Sequence, residues 1–243
     1  MSLVVLEGID GTGKSTQAKL LEAKLLDNID AIGKKGVIRI AEPTNSKYGT
    51  IIRNAMMNSD VRLSFDEELD LFIQDRRYNV QHNLLPAFKN EKVVILDRYY
   101  FSTAAYQGCR GHLDYEKIIS LNEEFAPKPS IVFFFFIPIE VSLSRIDLDQ
   151  GRNSRSYMEK KENLEQVQAI FAKIHESGKY NSFEIDATQS IENIAHKIWS
   201  ICRDHFSKNS QSNIYWLMQD RLRYNETRGR KGLFKISWIA SIL

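Results

Sequence analysis

Near its amino terminus the chain reads "LEGIDGTGKSTQ" (6–17), directly after the apolar run "LVV". Gly8-x-x-x-x-Gly13-Lys14-Ser15 is the spacing of a phosphate-binding loop, and such a loop needs a buried strand before it and a helix after it. Gly8, Gly11 and Gly13 let the backbone bend so that several N–H groups aim at one phosphate. The N-terminus of the following helix adds partial positive charge. Lys14 is suited to the β- and γ-phosphates and the Ser15 hydroxyl to Mg²⁺. A loop of this kind holds a nucleoside triphosphate without saying where its terminal phosphate goes.

The rest of the chain supplies the sheet that such a loop demands. "SLVVLE" (2–7), "GVIRIA" (36–41), "KVVILD" (92–97) and "SIVFFFFIP" (130–138) are short, mostly apolar runs, with a weaker fifth at "NSFEID" (181–186). Continuous rather than alternating apolarity predicts strands buried on both faces of a parallel sheet. Helical spacing predicts helices at 14–30, 49–58, 64–89, 101–109, 114–125, 139–147, 159–177 and 190–206. Strands alternating with helices give right-handed βαβ units and a three-layer α/β domain, with ligands beyond the carboxyl ends of the strands. Glu42-Pro43 after the second strand and Asp97-Arg98 after the third fall at that edge.

Composition narrows the class. The 243 residues are 43% hydrophobic and 26% charged, enough for a large core in one compact domain. A net charge of +2 gives no global sign of a nucleic-acid or membrane partner. Two cysteines, Cys109 and Cys202, offer neither a disulfide framework nor metal-ligand spacing, and they fit a reducing cytosol. The start "MSLVVLEG" has no basic segment of a signal peptide, and no apolar run reaches the ~20 residues of a transmembrane helix. From Arg203 onward the character changes: eight Lys/Arg against three acids, a net +5. A boundary near "SKNSQSN" (207–213) divides a domain at 1–207 from a basic extension at 208–243.

The loop's own cations are few. Its variable positions, Ile9, Asp10, Gly11 and Thr12, hold no Arg or Lys. Phosphoryl transfer depends on neutralising and aligning spread negative charge, so further cations must come from elsewhere. The segment "SLSRIDLDQGRNSRSYMEKK" (142–161) carries Arg145, Arg152 and Arg155 around Gly151 and Asn153, as suits a lid at about 148–158 that closes over phosphates. Asp97, ending a buried strand, is placed to hold Mg²⁺ directly or through water. Arg98 offers a bidentate grip on a second anion. On the helix at 64–89, Phe72 and Arg76 share a face one turn apart. That spacing fits either a nucleobase pocket or a core Phe beside a surface Arg.

With these residues assembled, the chain resembles the thymidylate kinase family. "EGIDGTGKSTQ", "EP" at 42–43, "IR" at 52–53, "LFIQDRR" at 71–77 and "LDRYYFSTAAYQ" at 96–107 carry the resemblance, which runs from residue 3 to about 205. It implies a P-loop kinase fold with a five-stranded parallel sheet, flanking helices and a mobile lid. It implies transfer of the γ-phosphoryl of ATP to dTMP with Mg²⁺, in a cytoplasmic homodimer. The phosphates of ATP would meet Gly8, Ile9, Asp10, Gly11, Thr12, Gly13, Lys14, Ser15 and Thr16. Phe72 resembles the ring that stacks on thymine and Arg76 the group that reads its O4. Arg98, with Arg53 as a second contact, resembles the grip on the acceptor phosphate. Tyr106 resembles the wall that leaves no room for a 2′-hydroxyl, and Asp10 the carboxylate near the 3′-hydroxyl. Ser102, Thr103 and Gln107 belong to the same pocket. Lys14, Asp10, Arg98, Arg152 and Arg155 are the expected catalytic set, with Ser15 and Asp97 on the metal.

Three features depart from the family pattern. Where Arg-Glu-Pro-Gly-Gly-Thr is usual, this chain has "AEPTNSKYG"; the lid ends in "SYME"; and the basic tail has no counterpart. The tail "RLRYNETRGRKGLFKISWIASIL" (221–243) suits contact with an anionic surface, or a terminal helix packed on the body with the remainder expected to be either disordered or at an oligomer contact. Two other functions stay open beside the dTMP kinase: an ATP-binding switch that transfers nothing, and a kinase for another pyrimidine nucleotide such as dUMP. A second anion grip and a base pocket speak against the switch.

Overall fold

The computed structural model describes residues 1–57, 63–110, 113–148 and 161–207. The chain divides into a unit Met1–Cys202 and a unit Arg203–Leu243. The first holds a five-stranded parallel sheet in the order β2-β3-β1-β4-β5. β1 (Leu3–Gly8) lies at the centre, flanked by β3 (Val93–Asp97) and β4 (Ile131–Phe136). Every residue of β1 and β3 is buried, and so are Ile131 to Phe135 of β4. Their apolar runs therefore fill both faces, as predicted.

The outer strands differ from that expectation. β2 (Val37–Ala41) and β5 (Ser182–Asp186) are only partly buried. They are the two edges of the sheet, so Arg39 and Glu184 reach solvent where a central strand would have to bury them.

The helices follow the predicted order. α1 (Lys14–Asp27) leaves the phosphate loop, α2 (Lys47–Met57) follows β2, and α3 (Phe65–Asn79) begins at a capping box formed by Ser64 and Glu67. The predicted single helix over 64–89 is interrupted by a π-helical segment at Val80–Leu84 before α4 (Leu85–Lys89). Pro86 accounts for the break: it donates no N–H and crowds the carbonyl four residues back, so the helical hydrogen bonds lengthen just ahead of it.

α5 (Tyr100–Gly108) and α6 (Tyr115–Glu123) follow β3, α7 (Ile139–Leu148) follows β4, and α8 (Lys161–Glu176) precedes β5. A last helix, α9, is described over 191–207. α8 buries Leu164, Val167, Ile170, Phe171 and Ile174, a single apolar stripe. Phe171 packs on Phe134 of β4 with ring centroids 5.7 Å apart. Side chains so enclosed contribute about 1.5–3 kcal/mol each, which makes the strip Phe133–Phe135 a main anchor of this layer. The consequence for function is that β1 and β3, neighbours in register with Leu6 beside Asp97, end together and present their following turns side by side.

Candidate active site

The phosphate loop joins β1 to α1 over residues 9–13. Gly11 and Gly13 adopt φ of +74° and +84°, the left-handed region closed to most side chains. A Cβ on Gly11 would also stand 2.7 Å from the Ser142 carbonyl oxygen, so the loop is pinned against the start of α7 as well as bent. Lys14 Nζ donates to the Ile9 carbonyl at 2.7 Å and to Thr12 Oγ1 at 3.2 Å. Burial, with Arg98 beside it, pulls the Lys14 ammonium down to about 8, while Asp97, Asp10 and Glu7 counter the shift. Ser15 Oγ donates to Asp97 Oδ2, which sets the hydroxyl and the carboxylate expected to serve a metal ion in direct contact.

Arg98 lies at the turn from β3 to α5 with φ of +71°, an uncommon conformation for a residue other than glycine. Its backbone N–H donates to the Leu6 carbonyl (3.0 Å). Its guanidinium donates to the Gly8 carbonyl (3.0 Å), to Ser102 Oγ (3.1 Å) and to Asp10 Oδ1 (2.9 Å). The Tyr106 ring stands 5.4 Å from the guanidinium carbon. Tyr106 Oη is buried with no hydrogen-bond partner among the described residues, and burial raises its pKa although Arg98 works against that. The predicted group of Asp10, Arg98, Ser102 and Tyr106 is thus a real cluster, packed against the phosphate loop.

A second cluster forms around Arg76. The side chain is 1% exposed, so it is not the surface arginine that spacing alone allowed. Its Nε and Nη2 donate to Glu42 Oε2 at 2.9 and 2.7 Å. Nη1 donates to Asn122 Oδ1 at 2.6 Å and Nη2 to Thr103 Oγ1 at 3.0 Å. Glu42 is held again by Asn79 Nδ2 at 2.8 Å. Burial raises the Glu42 pKa and Arg76 opposes it. A guanidinium carries five N–H groups, and these contacts use both of Nη2, one of Nη1 and Nε. They leave the second N–H of Nη1 unused among the described residues. Phe72, half-buried, lies one turn earlier on α3.

Arg53 serves the turn after β2 in this structure. Its Nη1 donates to the Pro43 and Thr44 carbonyls (2.7 Å each) and its Nη2 to Asn45 Oδ1 (3.1 Å). In the same segment buried Asp75 accepts from Thr44 N–H (2.7 Å), Thr44 Oγ1 (2.6 Å) and Ser46 Oγ (2.6 Å); of the residues that break the family pattern it holds Thr44. Gln107 is buried and accepts from Arg110 Nη1 at 3.2 Å. Arg145, grouped by sequence with the lid, belongs to α7 and bridges the Gly11 and Ala187 carbonyls at 3.2 Å each. Arg152 and Arg155 lie outside the described residues, as does the tail from 208.

A family profile described as "Thymidylate kinase" matches residues 6–198. The chain belongs to the thymidylate kinase family. It is 37% identical over 202 residues to a thymidylate kinase of Brachyspira hyodysenteriae, covering 83% of this chain and 93% of that protein. It is 40% identical over 198 residues to one of Desulfotalea psychrophila, covering 81% and 91%. A probable thymidylate kinase of Archaeoglobus fulgidus shares 33% over 211 residues, 87% of this chain and the whole of that protein. Within this family member, sequence reasoning passed over Glu7, Asp75, Asn79 and Asn122. The available signal was an acid or amide inside an otherwise apolar or helical core stretch, as Glu7 is in "LVVLEG".

Proposed function

We propose that this chain is a nucleoside monophosphate kinase that transfers the γ-phosphoryl of ATP to dTMP. The observation that carries the reading is Arg98, a second cationic grip fixed to the phosphate loop through Gly8 and Asp10. A switch that only binds ATP has no use for it. Catalysis is by alignment and charge neutralisation, with no covalent intermediate: the loop N–H groups and Lys14 take the donor phosphates, and Arg98 takes the acceptor phosphate. The free N–H of Arg76 suits a ring carbonyl, Phe72 suits the face of the ring, and Tyr106 suits exclusion of a 2′-hydroxyl. Arg152 and Arg155, outside the described residues, would supply the charge the loop lacks.

The oxygen donors Ser15 and Asp97 fit Mg²⁺, which favours one or two protein ligands with phosphate oxygens and water completing its shell. That ion would neutralise charge developing between the β- and γ-phosphates. Among the described residues no helix is long and apolar enough to cross a membrane. A cytoplasmic homodimer is the accompanying expectation, and sedimentation of the purified chain would test the dimer.

The decisive assay couples ADP release to dTMP, dUMP, UMP, CMP and AMP in turn, with Mg²⁺ and ATP, and with Lys14→Ala as control. Turnover should be strongest with dTMP, weaker with dUMP and absent from the ribonucleotides and the control. Some dUMP activity is expected because one methyl in an apolar pocket is worth ~1–3 kcal/mol. ATP binding without any acceptor-dependent ADP release would overturn the kinase reading in favour of the switch.

A further inference from the structure

Glu7 is the penultimate residue of the central strand, completely buried in a run of Leu and Val. A carboxylate at that depth needs full hydrogen bonding, and its partners all belong to the turn that carries Arg98. Tyr99 N–H donates to Oε1 at 2.8 Å, Ser102 N–H to Oε1 at 3.2 Å, and Ser102 Oγ to Oε2 at 2.5 Å. Two backbone N–H groups at the start of α5 therefore point at one acid, which serves them as a capping side chain would although it comes from another strand. Tyr99 itself contributes no capping side chain to α5.

Ser102 links this acid to the arginine. Its hydroxyl donates to Glu7 and accepts from Arg98 Nη1. Glu7, Ser102 and Arg98 form a chain in which each bond fixes the direction of the next. Arg98 needs such support, since its backbone holds the left-handed conformation, which the surroundings must impose. The phosphate-loop strand thus reaches Arg98 from one side through Gly8 and Asp10, and from beneath through Glu7.

We infer that Glu7 is a positioning residue for the acceptor-phosphate grip: through Ser102 and the N-terminus of α5 it sets the guanidinium of Arg98, and so governs dTMP rather than ATP. This rests on the assignment of Arg98 to the acceptor phosphate. In Glu7→Gln the amide keeps the side chain's shape and can still accept from Tyr99. Its NH₂ group faces the Ser102 hydroxyl, which loses the acceptor that fixes its direction toward Arg98.

The test is steady-state kinetics on folded wild type, Glu7→Gln, Ser102→Ala and the double variant, varying dTMP and ATP separately. Wild-type turnover of dTMP secures the parent reading in the same experiment, and its absence would remove that reading before the variants are considered. Glu7→Gln should lower kcat/KM for dTMP by about 10- to 100-fold, the scale expected of a misplaced binding group, and leave KM for ATP unchanged. Effects of Glu7→Gln and Ser102→Ala should be less than multiplicative in the double variant, because both cut one chain. Wild-type dTMP kinetics in Glu7→Gln, equal losses for both substrates, or fully multiplicative effects would overturn the inference. Should Glu7→Gln fail to fold, Ser102→Ala keeps the buried acid and its Tyr99 bond while cutting the chain. Wild-type kcat/KM for dTMP in that variant would then overturn the inference.

Discussion

Arg76 and Arg98 meet the same helix, α5, through successive hydroxyls, Thr103 and Ser102, yet their surroundings are opposite in kind. The side chain of Arg76 is 1% exposed, and a buried carboxylate, an amide and a hydroxyl hold it; that of Arg98 is 18% exposed and sits on a strained backbone. Arg76 is built into the core and has one N–H to offer. Arg98 is built into the site and keeps its charge turned toward the loop. A base carbonyl asks for one well-aimed donor, whereas a phosphate asks for a cation with several. Under the proposed function each demand would be met at a different cost: burial for the first, backbone strain for the second.

That contrast predicts separable effects of mutation. Arg76→Ala leaves Glu42 buried without its charge partner, and chemical denaturation at pH 8 should show a loss of about 3–5 kcal/mol. A loss below about 1 kcal/mol would mean that Arg76 is no more integrated than an ordinary surface ion pair.

Glu7 gives the second test. Burial, opposed by the Ser102, Arg98 and Tyr99 interactions, raises its pKa from 4.5 to about 7. The folded state therefore holds a proton that the unfolded state releases between those values. Its contribution is fully present below pH 4.5 and is lost as pH rises through about 7. Across that window wild type should lose up to roughly 3 kcal/mol relative to Glu7→Gln, read from denaturation midpoints at each pH. Parallel pH profiles for the two proteins would sink this account.

The smallest effect concerns strain alone. Arg98→Gly should be more stable than Arg98→Ala by about 1 kcal/mol in thermal unfolding, since only glycine is at ease at that φ. Both variants should lose dTMP turnover. Equal stabilities would mean that the turn relaxes once the guanidinium is gone.

The sheet, the helices and the loop were legible because they rest on local signals: apolar runs, helical spacing and glycines at fixed offsets. Edge burial was not, since the position of β2 and β5 depends on strand order, which no single strand encodes. Within the site, Gly8 to Ser15, Asp97 and Arg98 could be read because each lies at the end of a predicted strand. The partners of Arg76 could not: Glu42, Thr103 and Asn122 are separated from it by 34, 27 and 46 positions, and only the folded packing brings them together. Arg53 shows the converse. The family resemblance offers it as a second phosphate contact, and nothing in the sequence showed that its guanidinium also braces the Pro43–Asn45 turn.

The adjacency of Ser102 and Thr103 on α5 has a metrical consequence. Because one helical turn fastens both arginines, their separation behaves as a fixed gauge rather than as two independent contacts. Under the proposed function, a nucleoside lacking its phosphate would engage one jaw of that gauge and a longer diphosphate would overrun it. Only a monophosphate would span the two. Selection by length would then be written into the helix itself, without any residue dedicated to measuring.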